Sequence, residues 1–228
     1  MSISPWQGTP RRALLLIVLG VTLAVAAFAV VSRSRPADDF GAVPVAVPAS
    51  VAPSASSAAS PAVPVRDGAL PAASRDEGPT RLRIPALDLD AAVDAVGIDA
   101  RTGDFAVPAS VDRVGWYRFG PGFAARAGSI VVAGHVDSAA EGEGAFFRLG
   151  ALEAGDRVTL SGPGGETRSF EVVARERYRK TAIPLERYFA RDGEVRLTLI
   201  TCGGPFDEKT RHYRDNVVVT ATAWQPPQ

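Results

Sequence analysis

The chain holds one cysteine, Cys202, and two histidines, His135 and His212. A thiolate is a strong nucleophile, but a thiol with a pKa of about 8.5 is only a few per cent ionised at neutral pH. It needs a base or positive neighbours. His135 is the better-placed base. It follows the β-like run Ser129-Ile-Val-Val-Ala133 and Gly134, and opens the segment His135-Val-Asp-Ser138. Cys202 has a parallel setting, after Val195-Arg-Leu-Thr-Leu-Ile-Thr201 and before Gly203-Gly204-Pro205. A strand end beside glycine is a place where backbone approaches a ligand closely. His212 closes the polar stretch Asp207-Glu-Lys-Thr-Arg-His212 and reads as part of a solvated connection.

A fixed cation completes the set. Arg214 lies twelve positions after Cys202, next to a second β-like run, Asn216–Trp224. If the runs Glu194–Thr201 and Asn216–Trp224 pair antiparallel, Cys202 and Arg214 flank one mouth of the ladder. Arg214 then presents donors to a developing oxyanion or a substrate carbonyl. The alternative is a surface ion pair with Asp215 or Asp207. Arg211, deeper in the loop expected over Gly203–Tyr213, is expected to be solvated. For Cys202 itself the alternative is a small buried apolar residue. Its strand-end position and the absence of a disulfide partner favour the nucleophile.

The elements that must position these residues begin at Thr80. Short alternating or β-branched runs cover Arg81–Ile84, Ala91–Ile98, Phe105–Val107, Arg113–Arg118, Ser129–Ala133, Arg157–Leu160, Thr167–Arg177, Glu194–Thr201 and Asn216–Trp224. Turn signals such as Gly120-Pro-Gly122 and Ser161-Gly-Pro-Gly-Gly165 separate them. Eight or nine strands in this length predict a closed or sandwich-like β domain. Two short helical pieces are expected near Ala145–Leu149 and Pro184–Phe189.

The preceding residues are of another kind. Residues 1–12 form a short N-terminus, and Ala13–Val31 an uncharged apolar run. At 1.5 Å per residue that run spans roughly 28 Å, close to a bilayer's hydrocarbon thickness. Arg11 and Arg12 precede it, and Arg33 and Arg35 lie just beyond it. An uncleaved single-pass anchor, N-terminus inside, is the favoured reading; a cleaved signal peptide is the alternative. Both export the remainder of the chain. Residues 36–79, dominated by Pro, Ala, Ser and Val, read as a disordered linker reaching about 35–40 Å as a coil. The folded domain is expected over 80–226. With 25 basic and 25 acidic side chains, nothing suggests broad capture of nucleic acid. No compact acidic set argues for a metal, and no cofactor is called for.

The sequence Thr198-Leu-Ile-Thr-Cys202, with Tyr213-Arg-Asp-Asn-Val217 and Gly134-His-Val-Asp137 in this order and spacing, resembles the cysteine, arginine and histidine motifs of sortases. The likeness covers roughly Arg81 to Trp224 and is nearest the actinobacterial class F. It implies an eight-stranded β-barrel with one or two short helices, behind the transmembrane helix and linker. It implies a monomeric, membrane-held transpeptidase with His135, Cys202 and Arg214 catalytic, and Thr201, Asp137 and Gly203 beside the substrate. Cys202 would attack the threonine carbonyl of an LPxTG-like sorting signal. The thioester would then pass to an amino group of a lipid II-type cell-wall precursor. An Asp-Pro-aromatic lid, a feature of pilus-assembling relatives, is not expected, because the chain has no Asp-Pro pair. Two alternatives stay open: an extracytoplasmic L,D-transpeptidase-like enzyme, although its Ser-x-Gly-Cys-x-Arg core is absent, and an anchored binding domain with an inert thiol.

Overall fold

The computed structural model describes residues 39–41, 78–99 and 105–225. The apolar run Ala13–Val31 and most of the linker lie outside the described residues.

Alternation along the strands closes a barrel. Strand β1 (Arg81–Ile84) turns Leu82 and Ile84 inward, and Arg83 outward. Strand β7 (Arg157–Ser161) does the same with Val158 and Leu160. Between them in space run β2 (Leu89–Val96), β3 (Val114–Tyr117), β4 (Ser129–Gly134), β9 (Arg196–Asp207), β10 (His212–Ala223) and β8 (Thr167–Arg179). The closed order is β1-β2-β3-β4-β9-β10-β8-β7, with β7 pairing back onto β1. Closure gives every barrel strand a partner on both sides, although the longer strands run past their partners. A small ribbon, β5 (Asp137–Ser138) against β6 (Gly142–Glu143), stands apart from the barrel.

The core is the barrel interior. Trp116, Ile130, Val132, Phe170, Leu197, Leu199 and Val219 are each at most 2% exposed there. Phe146 and Leu149 are also fully buried in this cluster, although they belong to the connection after β6. In β4 all six residues are buried, so both of its faces are covered. The outer cover includes helix α1 (Leu185–Tyr188) and the chain after it, which hydrogen-bonds β4 from Ser129 N to Ala190 O at 2.9 Å.

Two pairings matter most for the site. Strands β4 and β9 are parallel, ending with Ala133 opposite Ile200, so both run out at the same rim. Strands β9 and β10 are antiparallel and continue past that rim as a hairpin. The expected loop over Gly203–Tyr213 is therefore only residues 208–211. Gly203-Gly204-Pro205 reads as a strand stop because glycine and proline usually punctuate. Here they lie inside β9, at a bulge. Gly204 and Pro205 together face the single residue Arg214, between the pairs Gly203–Asp215 and Phe206–Tyr213. Gly204 has a left-handed φ of 73°, and Pro205 has no N–H to lose from the ladder.

Three further expectations change. Phe105–Val107 makes one bridge, Phe105 to Ile98, rather than a strand. Ala145–Leu149 is a series of turns followed by a 3-10 turn over Leu149–Ala151. Within the linker, residues 39–41 are ordered against β8. Phe40 and Arg175 exchange backbone hydrogen bonds of 3.0 and 2.9 Å, and Arg177 N donates to Asp39 Oδ2 at 3.1 Å. The Arg175 guanidinium covers the Phe40 ring at 4.7 Å. Gly41, with φ of 70°, has no room for a Cβ, which would meet Val173 O at 2.2 Å.

Candidate active site

Parallel pairing carries the positions of Cys202 and His135 to one place. Beyond Ala133 and Ile200, the seam is continued by the Thr201 hydroxyl, which donates to Gly134 O at 2.8 Å. The next residues along the two strands are His135 and Cys202. Neighbouring strands run about 4.8 Å apart, so the two segments leave the sheet as neighbours, and His135 and Cys202 follow just past the last seam contact. Facing follows from alternation. Ile130, Val132, Leu197 and Leu199 point into the core, so His135 and Cys202 belong to the outer face. The free thiol of Cys202 is half-buried.

Strand β10 supplies the third group. Asn216 is opposite Cys202, and Arg214, two residues earlier, shares its face by alternation. Arg214 is exposed at the bulge and makes no ion pair among the described residues. Its neighbour Asp215 turns instead toward Arg179, at 3.8 Å, and packs its carboxylate on Gly204. A Cβ on Gly204 would lie 2.2 Å from Asp215 Oδ2. The ion-pair alternative for Arg214 with Asp215 is thus replaced by Asp215–Arg179. Arg211 is exposed in the connection, as expected; His212 is exposed too, but it opens β10 opposite Asp207 rather than lying in the loop.

The ring of His135 is oriented by a group the sequence does not mark. Its Nε2 lies 2.9 Å from Pro108 O. A carbonyl only accepts, so Nε2 carries a proton and donates, and Nδ1 is the nitrogen left to gain or lose one. The backbone of His135 is fixed as well: its carbonyl accepts from Phe146 N at 3.0 Å. Gly144 presses on the same carbonyl so closely that a Cβ would come within 2.4 Å. An aromatic cluster steadies the segment that carries Pro108. Phe105 meets Tyr117 at 5.6 Å and Phe189 at 5.9 Å, edge to face. Phe189 follows α1, so the α1 segment braces the imidazole indirectly.

Helix α1 is itself pinned by a satisfied carboxylate. Glu176 of β8 accepts from both terminal nitrogens of Arg187, at 3.1 and 2.9 Å. It also accepts from the hydroxyls of Tyr178 and Tyr188, at 2.9 and 2.8 Å. Burial, then the hydrogen bonds with Tyr178 and Glu176, raises the pKa of Tyr188 well above the ordinary phenol value.

Among the residues named from sequence, Thr201 is 4% exposed with its side chain committed to the β4–β9 seam. Gly203 pairs with Asp215 beside the thiol, and a Cβ there would meet Val217 Cγ2 at 2.8 Å. Asp137 begins β5 and accepts a hydrogen bond from the Tyr213 hydroxyl. Sequence reasoning missed Pro108, Gly144 and Tyr213; only Tyr213 carried a local signal, as the aromatic residue beside Arg214. Among the described residues, no group of three or more His, Cys, Asp or Glu side chains is arranged to hold a metal.

A closed β-barrel with a thiol, an oriented imidazole and a guanidinium without an ion pair among the described residues, all at one rim, has the equipment of cysteine-dependent acyl transfer. A Sortase domain profile matches residues 82–224, more than half of the chain, and the chain belongs to the sortase family. Its members are cysteine transpeptidases. Solved structures with similar folds include sortase A from Corynebacterium diphtheriae in a lid-mutant form. That match has 20% identity, covers 64% of this chain and 70% of the other, and has a TM-score of 0.49. Pilus Island 1 sortase C2 of Group B Streptococcus matches at 15% identity, over 67% and 77%, with a TM-score of 0.49. Sortase C-1 of Actinomyces oris matches at 20% identity, over 64% and 71%, with a TM-score of 0.48. No curated protein sequence matches the chain.

Proposed function

We propose that this chain is a membrane-anchored, extracytoplasmic sortase of the class F type, cleaving LPxTG-like sorting signals and joining them to a cell-wall amine. The observation that supports the reading is the parallel pairing of β4 and β9, past whose last pair His135 and Cys202 follow, together with the β9 bulge opposite which Arg214 is exposed without an ion pair among the described residues.

Cys202 Sγ, as thiolate, attacks the carbonyl carbon of the signal's threonine. The charge that develops on the carbonyl oxygen is met by the Arg214 guanidinium, with a backbone N–H beside Cys202 assisting. The threonine–glycine C–N bond breaks, and the departing amine takes a proton from His135 Nδ1. The thioester remains on Cys202. An incoming amino group of a lipid II-type precursor attacks it, gives its proton back to His135, and expels the thiolate. Nε2, bonded to Pro108 O, holds the ring in one orientation through both transfers. Asp137 and Gly203 flank this rim, where the end of the signal would lie. The apolar run Ala13–Val31 would hold the enzyme at the membrane in which a lipid-linked acceptor resides.

Incubating the detergent-solubilised full chain with a fluorogenic Leu-Pro-x-Thr-Gly peptide and an amine tests the reading. The expected outcome is cleavage after threonine, with an amine-dependent ligation product. Cleavage of stem peptides but not of sorting peptides would favour an L,D-transpeptidase-like activity and overturn it.

A further inference from the structure

Arg214 has no side-chain partner of its own among the described residues, so its placement depends on what holds the bulge beneath it. Both neighbours reach other elements, Tyr213 by a hydrogen bond and Asp215 by a looser approach to an arginine. Asp215 reaches β8 through Arg179 and packs on Gly204. Tyr213 reaches across the mouth of the site and donates its hydroxyl hydrogen to Asp137 Oδ2. Asp137 lies two residues after His135 and is paired to Glu143 in the β5–β6 ribbon. The Tyr213 ring is also seated edge to face on Phe206, centroids 5.1 Å apart, across the bulge.

We propose that Tyr213 and Asp137 form a latch that sets Arg214 and His135 at a fixed separation around Cys202, and are positioning residues for the acyl transfer. The inference rests on the reading of this rim as the active site. Its physical basis is connectivity. His135 directly follows β4 and Arg214 lies in β10, strands that do not pair with each other; β9 stands between them. Past the rim, β9 no longer pairs with β4, and the β9–β10 hairpin projects with an irregular ladder. The Tyr213–Asp137 hydrogen bond joins the hairpin directly to the histidine segment. The Asp137 hydrogen bond, with burial and the nearby Asp137 and Cys202 charges, pushes the Tyr213 phenol up to about 12.

Geometry held by a latch acts on the transition state more than on binding. The test is a steady-state comparison of full chains with Tyr213→Phe, Asp137→Ala, the double change and Asp137→Asn, on a sorting-motif peptide, with Tm measured alongside. Tyr213→Phe and Asp137→Ala are each expected to lower kcat about tenfold or more, with KM within about twofold. The double variant should be no worse than the poorer single one, because both break one bond. Asp137→Asn keeps an acceptor oxygen and should recover most of the lost kcat. Additive losses, or a fall in Tm with kcat unchanged, would overturn the latch. So would an Asp137→Asn variant as impaired as Asp137→Ala, which would assign the effect to charge. A native chain inactive on every sorting peptide would instead remove the underlying function.

Discussion

At the scale of residues, the site depends on which polar groups are satisfied and which are left available. His135 spends one nitrogen on Pro108 O and keeps the other. Asp215 lies 3.8 Å from Arg179 and packs on Gly204, its buried Oδ1 without a hydrogen bond, and Arg214 makes no ion pair among the described residues. If Arg214 stabilises the oxyanion, Arg214→Ala should lower kcat by about 10²–10³, as removal of an oxyanion donor does elsewhere. Arg214→Lys should recover little, since a point charge does not reproduce the guanidinium fork. Equal kcat values for the native chain and Arg214→Ala would remove that role. His135, Cys202 and Arg214 are legible in sequence because their types are rare here and each borders a β run. Pro108 and Gly144 are not, because their roles exist only through a carbonyl direction and a missing Cβ. Neither leaves a trace in residue type at that distance along the chain.

At the scale of elements, the β8–β9 connection is the part whose position needs explaining, since a single-turn helix has little stability of its own. Its order comes from Glu176, whose carboxylate receives four donors from Arg187, Tyr178 and Tyr188. The Arg187 and Glu176 side chains are only 17% and 16% exposed. Removing the carboxylate leaves a guanidinium and two hydroxyls without their acceptor. Glu176→Ala should therefore cost about 2–4 kcal/mol of unfolding free energy by denaturant titration. Activity should fall beyond what the unfolded fraction explains, because Phe189, Phe105 and Pro108 link this connection to His135. A stability change within about 0.5 kcal/mol would contradict the account. Strand boundaries were legible wherever alternation was clean, as in β1 and β7. They failed at Gly203-Gly204-Pro205, where turn residues serve a bulge instead. They also failed at Phe105–Val107, where the aromatic ring, not a ladder, does the holding.

At the scale of the whole molecule, the barrel carries its own ties to its surroundings. Phe40 comes from the stretch expected to be linker, yet it extends the edge of β8 that β7 leaves open beyond Glu171. A lone aromatic in a Pro/Ala/Ser-rich background signals little by itself, and its docking site is remote in sequence. Phenols also couple the fold to alkaline pH. The folded value for Tyr213 is raised from 10.0 to about 12, chiefly by its hydrogen bond to Asp137. A raised folded value means the contribution to stability is complete below pH about 10 and is lost as pH climbs through about 12. The stability gap between the native chain and Tyr213→Phe should accordingly narrow over that interval, as measured by urea unfolding. A gap that stays constant or widens would contradict the environment assigned to this phenol.

The central claim is that Cys202 carries the acyl group between donor and acceptor. Intact-mass measurement of the full chain, acid-quenched during turnover of a sorting-motif peptide without added amine, tests it most directly. The account predicts a mass increase equal to the acyl fragment ending in threonine, located on Cys202, discharged by an amine and absent from Cys202→Ala. Turnover with no adduct on Cys202, or undiminished cleavage by Cys202→Ala, would contradict it.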